Sequence, residues 1–306
     1  MDRARRQTDR QLAKMEKEIH RQYQKANKEI SEKWNEYMER ANKRLVKREN
    51  ALSDALRSGD KELIAKEKKA LEDAKKTILL SDRKYRNMVQ ETAQRIADRN
   101  QIAVDYINGK TPWIYAKNYN QVKRDARKYG IRFTTINENV VKRRITEGTI
   151  SMRKCGFDEA KDVAWNGKKM NSAVLQGIIQ GEDMNTIAKR LEGIIGTNEG
   201  SAVRNARTMV TQAENAGRLD SYKALEEAGA VMVKIWEATG DDRTRDAHLA
   251  MHGQEVPIDE PFIDELNSEE LMFPADPSAD PCTTFNCRCT MKSRAISVNG
   301  KAIRYG

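Results

Sequence analysis

The sequence predicts a mainly α protein with an elongated helical N-terminal arm and a small α+β domain at its C-terminal end. Three observations lead to that class. The 306 residues are 33% charged, 38% hydrophobic and only 6% aromatic, with a mean hydropathy of −0.82, a balance that suits long solvated helices. The first third repeats apolar residues every three or four positions. A β-rich run, Val231-Met232-Val233-Lys234-Ile235-Trp236, follows Gly229 closely.

Along the chain each element has a local reason. From Gln11 to about Arg48 the apolar positions are Leu12, Met15, Ile19, Tyr23, Ala26, Ile30, Trp34, Met38, Ala41 and Leu45, a single narrow stripe on one helix face. Such a stripe is marginal alone and requires partner helices. Ser58-Gly59-Asp60 reads as a break, with Asp60 capping a second helix that carries Leu63, Ile64, Leu71, Ala74, Ile78 and Leu79. A third helix starts near Ser81-Asp82 and is expected to stop at Asn108-Gly109, where Gly109 would take the left-handed cap. Residues 110–165 are less regular, with Trp113, Tyr115 and Tyr119 read as core anchors in preference to a stacking platform for nucleic-acid bases, and Gly130 as a helix stop. Three helices are expected next, at about 173–180, 184–194 and 201–228, parted by Gly181-Glu182-Asp183 and Gly196-Thr197-Asn198. A strand over 231–236, a helix over 243–251 and a closing strand over 287–297 finish the reading. The implied division is 1–110 as arm, 111–170 as connector and 171–306 as C-terminal domain.

Composition excludes several classes. No apolar run approaches the roughly 18 residues of a membrane span, and the polar start Met1-Asp2-Arg3-Ala4-Arg5-Arg6 is not a secretory signal. Synthesis in the cytosol then makes the four cysteines thiols or metal ligands rather than a disulfide framework. Residues 1–170 hold 42 basic and 25 acidic side chains, whereas 171–306 hold 14 and 21. The basic half is suited to non-specific contact with a polyanion such as double-stranded DNA. Ordinary solvation of long helices accounts for the same charge, because most cations alternate with carboxylates at helical spacing.

The densest chemistry lies between Trp236 and Cys289. His248 and His252 are two of the three histidines, and Cys282, Cys287 and Cys289 are three of the four cysteines. His248 and His252 at i,i+4 share a helix face, and Cys287 and Cys289 at i,i+2 share a strand face. Zinc accepts such mixed nitrogen and sulfur tetrahedra, and a closed four-ligand site is structural. The candidate ligands are His248, Cys287 and Cys289, with His252 or Cys282 as the fourth. The competing reading makes the thiols small buried hydrophobes and His248 a hydrogen-bonded core residue. Asp242-Arg243-Thr244-Arg245 before His248 could act on phosphate. The structural alternative has Asp242 capping the helix and the arginines paired with the acidic connector over 255–280, itself read as a solvated loop or a docking surface.

The motif over residues 241–254, D-D-R-T-R-D-A-H-L-A-M-H-G-Q, followed by Pro274-Ala275-Asp276-Pro277 and Asn286-Cys287-Arg288-Cys289, resembles the C-terminal domain of Mu F-like minor head proteins of tailed bacteriophages. The helical run R-N-A-R-T-M-V-T-Q-A-E-N-A-G-R before it extends the resemblance. The similarity covers His248, Gly253, Cys287 and Cys289 but not His252 or Cys282. It implies a non-enzymatic minor capsid protein of the virion, assembled in the host cytoplasm and located at the head interior and portal vertex. Its implied partners are the portal protein, scaffold or major capsid protein, and packaged DNA, with no membrane contact and a role in head assembly and genome delivery. Some relatives carry a fused nuclease or ADP-ribosyltransferase; with seventeen residues after Cys289, no such fusion is expected here. The rival classes are a zinc-dependent enzyme acting on nucleic acid and a generic DNA-binding coiled-coil protein. Ligand count separates the first, since a catalytic zinc keeps an open position.

Overall fold

A computed structural model describes residues 3–150 and 152–303. Its helices are α1 (Arg3–Ser58), α2 (Lys61–Leu80), α3 (Arg83–Tyr119), α4 (Lys123–Lys128), α5 (Glu138–Thr146), α6 (Glu159–Ile179), α7 (Met184–Glu227), α8 (Asp246–Ala250) and α9 (Pro281–Thr284). The strands are β1 (Ala230–Glu237), β2 (Glu255–Pro257), β3 (Phe262–Asp264), β4 (Glu269–Leu271), β5 (Thr290–Val298) and β6 (Lys301–Ala302). A long helical N-terminal region with a small C-terminal sheet region is thus the observed class, as the sequence predicts. The chain forms two compact units. One gathers the chain up to Lys17, Val104–Gly156 and the chain from Val203 on; the other holds Glu18–Ala103 and Phe157–Ala202. Both therefore draw on segments from either side of the divisions expected at 110 and 170.

The stripe on α1 is buried as its spacing requires. Met15, Ile19, Tyr23, Ala26, Ile30, Trp34, Met38, Ala41 and Leu45 are each at most 4% exposed. In the second unit Trp34 donates from Nε1 to the Thr92 hydroxyl at 3.1 Å and meets Tyr85 edge-on, so α1 packs on α3. Tyr37 donates to the Ile78 carbonyl at 2.8 Å, which ties α1 to α2. The Asn100 amide bridges Asp162 at 2.7 Å and Asn198 at 2.8 Å, joining α3 to α6 and the start of α7. Asp60 caps α2 through the amides of Glu62 and Leu63, so the break at Gly59 lies where the sequence places it.

Two expected breaks are absent. Helix α3 does not stop at Gly109 but continues through Pro112 to Tyr119. Pro112 cannot donate to the carbonyl four residues back, and the Thr111 hydroxyl satisfies that carbonyl of Asn108 at 3.1 Å instead. Helix α7 likewise runs through Gly196-Thr197-Asn198. A helical glycine costs about 1 kcal/mol, whereas Ile194, Ile195, Asn198 and Ala202 are all buried along the continuous helix. The buried Asn198 amide also holds Asn166 at 2.9 Å. The separation at Gly181 does occur, with Gly181 at φ 72° and the Glu182 amide returning to the Gly177 carbonyl. Helix α6 begins earlier than expected, at Glu159, after an Asp158 cap.

In the first unit an antiparallel sheet has the order β2-β1-β5-β6, and β3 and β4 form a separate hairpin. The connector over 255–280 is not a solvated loop. It buries Ile258, Phe262, Leu271, Phe273 and Ala275, and its Asp264 and Asp276 cap their own turns from buried positions. Lys234 of β1 is fully buried, donates to the Met272 carbonyl at 2.9 Å and lies over the Phe262 ring. Desolvation pulls its ammonium pKa down to about 8. Tyr115 and Tyr119 stack in the core, in line with anchoring rather than with a stacking platform for bases.

One crossing in this unit has no slack. A Cβ at Gly217 of α7 would lie 2.5 Å from the Tyr115 carbonyl oxygen of α3. Gly217→Ala is expected to destabilise the protein by about 1–3 kcal/mol, read as a lowered urea midpoint at unchanged slope. Gly193→Ala, where nothing lies within 4 Å, should leave the midpoint in place or raise it.

Candidate metal centre

Polar groups on one face of α7 build the site. Thr208, Thr211, Asn215 and Arg218 follow one another at steps of three and four, so they form a row along the helix. The row grips the backbone from Asn286 to Met291. The Thr208 hydroxyl accepts the Asn286 amide at 2.8 Å, and Thr211 donates to the Cys287 carbonyl at 2.6 Å. The Asn215 amide nitrogen donates to the Cys289 carbonyl at 3.2 Å, and its oxygen accepts the Met291 amide at 3.1 Å. Arg218 reaches the Met291 carbonyl at 3.3 Å. Beside the row, the fully buried Glu214 accepts from Thr290 at 2.7 Å and pairs with Arg218 at 3.3 Å and Arg5 at 2.7 Å.

The two halves of the sequence motif hold each other. Asp241 receives both guanidinium nitrogens of Arg288, at 2.5 and 2.6 Å, and that contact keeps its carboxyl well below the usual range. Arg245 donates to the Phe285 carbonyl at 2.6 Å. Thr239 and Arg5 both donate to the Arg288 carbonyl, at 2.8 and 2.9 Å. Asp242 does not cap the helix: α8 starts only at Asp246, and its N-cap is Arg245 without a side-chain bond. Asp241 serves the turn instead, accepting from the Arg243 amide and the Thr244 hydroxyl. The two arginines pair with Asp241 and the Phe285 carbonyl rather than with the acidic connector.

This frame brings His248 of α8 to Cys287 and Cys289. All three are 2% exposed. Nδ1 of His248 lies 3.7 Å from the Cys287 sulfur and 3.6 Å from the Cys289 sulfur, and the three ligand atoms fall within 4.8 Å of one another. The cysteines are not on a strand, since β5 opens only at Thr290. Asn286, left-handed at φ 59°, turns the chain so that both sulfurs face the histidine. The Cys289 thiol is pulled below its ordinary range, first by the hydrogen bond from Cys287 and further by His248. Cys287, which donates that bond and is desolvated, is pushed up. His252 is exposed, and its Nδ1 accepts the Ala238 amide at 3.1 Å. Cys282 is exposed beside Thr283. The structure therefore assembles His248, Cys287 and Cys289 and leaves both other candidates outside.

With this geometry in view, the matches of the chain are informative. Residues 168–292 match the family model described as phage Mu protein F like protein. The chain carries a Mu F-like domain. The chain is also similar to NAD(+)--arginine ADP-ribosyltransferase EFV of Enterococcus faecalis (strain ATCC 700802 / V583), with 29% identity over 125 residues, which is 40% of this chain. The match spans 25% of the length of that protein. No solved structure matches. Among the described residues, no helix is long and apolar enough to cross a membrane.

Sequence reasoning found the three clustered residues by their scarcity and missed the row on α7 that positions them. The available signal was Thr211, Asn215 and Arg218 at helical spacing between Val210, Ala213, Ala216 and Leu219, which are all buried. Asn215→Ala should cost about 2–4 kcal/mol, because it strips partners from the Cys289 carbonyl and the Met291 amide at once. Equilibrium unfolding measures this; a loss below about 1 kcal/mol would mean that the row does not hold the segment.

Proposed function

We propose that this chain is a structural minor head protein of a tailed bacteriophage. In this reading it associates with the portal vertex and the packaged DNA, in the head interior, and serves head assembly and genome delivery. The observation that carries the reading is the Mu F-like domain itself, whose most distinctive residues are engaged inside the fold. Asp241, Arg245 and Arg288 hold backbone or each other, and His248, Cys287 and Cys289 are buried. A group with these internal duties is poorly placed to meet a substrate, which favours a structural role over the rival zinc-dependent enzyme on nucleic acid. The ADP-ribosyltransferase relative lends no activity here, because only a quarter of its length is matched.

The test for partnership is co-expression of the full chain with the portal, scaffold and major capsid genes of its own genome. Co-purification with the portal protein, and retention in heads assembled with it, is the expected result. Portal and heads that assemble normally and leave this chain free would overturn the assignment.

The DNA contact is expected on the solvated side of α1. Lys25, Lys28, Lys43 and Lys47 are exposed there and, at helical spacing, lie on the side opposite the buried stripe. Mixed-sequence double-stranded DNA should bind with an affinity that falls steeply with salt. Changing these four lysines to Gln should flatten the log–log salt slope by about 3–4, near 0.9 for each phosphate that is no longer neutralised. Binding that ignores salt, or a slope unmoved by the four changes, would count against this face.

A further inference from the structure

We propose that His248, Cys287 and Cys289 bind a structural zinc ion that fastens α8 to the segment leading into β5. The proposal is independent of the head-protein assignment and rests on the geometry of three buried side chains.

The distances fit a tetrahedral ion. Zinc at about 2.3 Å from sulfur and about 2.0–2.1 Å from nitrogen sets sulfur–nitrogen separations of about 3.5–3.6 Å in a tetrahedron. The observed separations are 3.7 and 3.6 Å, both measured to the same imidazole atom, Nδ1. That atom and both sulfurs lie within 4.8 Å of one another, close enough for one ion to reach all three. A backbone donor already meets one of the sulfurs: the Cys289 amide donates to the Cys287 sulfur at 3.4 Å. Such donors orient the ligands of a metal and tune their basicity.

Charge and ligand type agree. Two thiolates, a neutral imidazole and a divalent cation sum to zero, which is the state a site 2% exposed can hold without an uncompensated buried charge. Soft sulfur with imidazole selects zinc over magnesium or calcium. No fourth His, Cys, Asp or Glu among the described residues joins the cluster, but all three ligands are 2% exposed, so the open position that a catalytic zinc would present to a substrate is closed off from solvent by the fold. His248 lies 39 and 41 positions before the two cysteines. An ion shared by all three closes that loop in the folded state only, so its binding free energy adds to folding.

The experiment uses the full chain, produced in zinc-supplemented medium and purified without chelator or affinity metal. Elemental analysis should find stoichiometric zinc in the wild type and in Cys155→Ser, and little in the Cys287→Ser/Cys289→Ser double variant. A chelator should lower the thermal midpoint of the wild type and not that of the double variant. Cobalt exchanged into the wild type supplies a readout that does not depend on any variant folding: intense tetrahedral d–d bands with thiolate-to-cobalt charge transfer. Wild-type zinc no higher than in the double variant, or a cobalt spectrum without charge transfer, would overturn the proposal and leave the cluster as a hydrogen-bonded thiol–imidazole core.

Discussion

The C-terminal part of this protein depends on a helix gripping a piece of extended backbone. Residues 286–291 lead into and begin a strand, and the amides of Asn286 and Met291 with the carbonyls of Cys287, Cys289 and Met291 face α7. Buried main-chain groups without partners cost about 1–3 kcal/mol each, and here Thr208, Thr211, Asn215 and Arg218 provide those partners. Because β5 pairs with β1 along its whole length, fixing its entry also fixes the register through which β1 meets β2 and β5 meets β6. A slip of one residue would turn Met291 and Ala295 away from the core.

The same grip explains why a buried glutamate is tolerated. Glu214 is fully buried, a placement that costs several kcal/mol unless the charge is paired and hydrogen-bonded. Arg218 supplies a cation from one turn along the same helix, Arg5 supplies another from 209 positions earlier, and Thr290 donates a neutral hydrogen bond. Arg5 uses its second nitrogen on the Arg288 carbonyl. The start of α1 is thereby tied to the segment that carries the cysteines, which gives the N-terminal residues a structural role in this unit that their charge alone does not suggest.

What was legible in the sequence was what local chemistry decides. The stripe on α1, the Asp60 cap, the turn at Gly181 and the β-rich run after Gly229 each need only neighbours within a turn or a strand. The interruptions at Gly109 and Gly196 failed as helix ends because propensity is a weak term that packing overrides. A threonine hydroxyl repaired the proline-exposed carbonyl in one helix, and buried Asn198 held the other. His248, Cys287 and Cys289 stood out because their residue types are scarce, and folding brings them together. The role of Asp241 was not legible, since its partner Arg288 lies 47 positions away and nothing local distinguishes it from Asp242. The acidic connector misled for a related reason: its Asp264 and Asp276 bond their own turns from within the core, and composition alone counts them as solvent-seeking.

The Mu F-like motif is therefore best understood as a latch written in two halves. The first half places Asp241, Arg245 and His248 on one turn and the short helix that follows it; the second places Phe285, Cys287, Arg288 and Cys289 on one bend. Each first-half group meets a second-half group: carboxylate to guanidinium, guanidinium to carbonyl, imidazole to both sulfurs. Between them the chain makes β2 and the β3–β4 hairpin, which pack Phe262 against Trp236 and so fill the space the latch encloses. Residue types that elsewhere signal an active site recur here because closing a long excursion in a small domain needs strong, directional contacts. Arginine forks, carboxylates and soft ligands supply those contacts at few positions, which makes a structural motif as distinctive in sequence as a catalytic one.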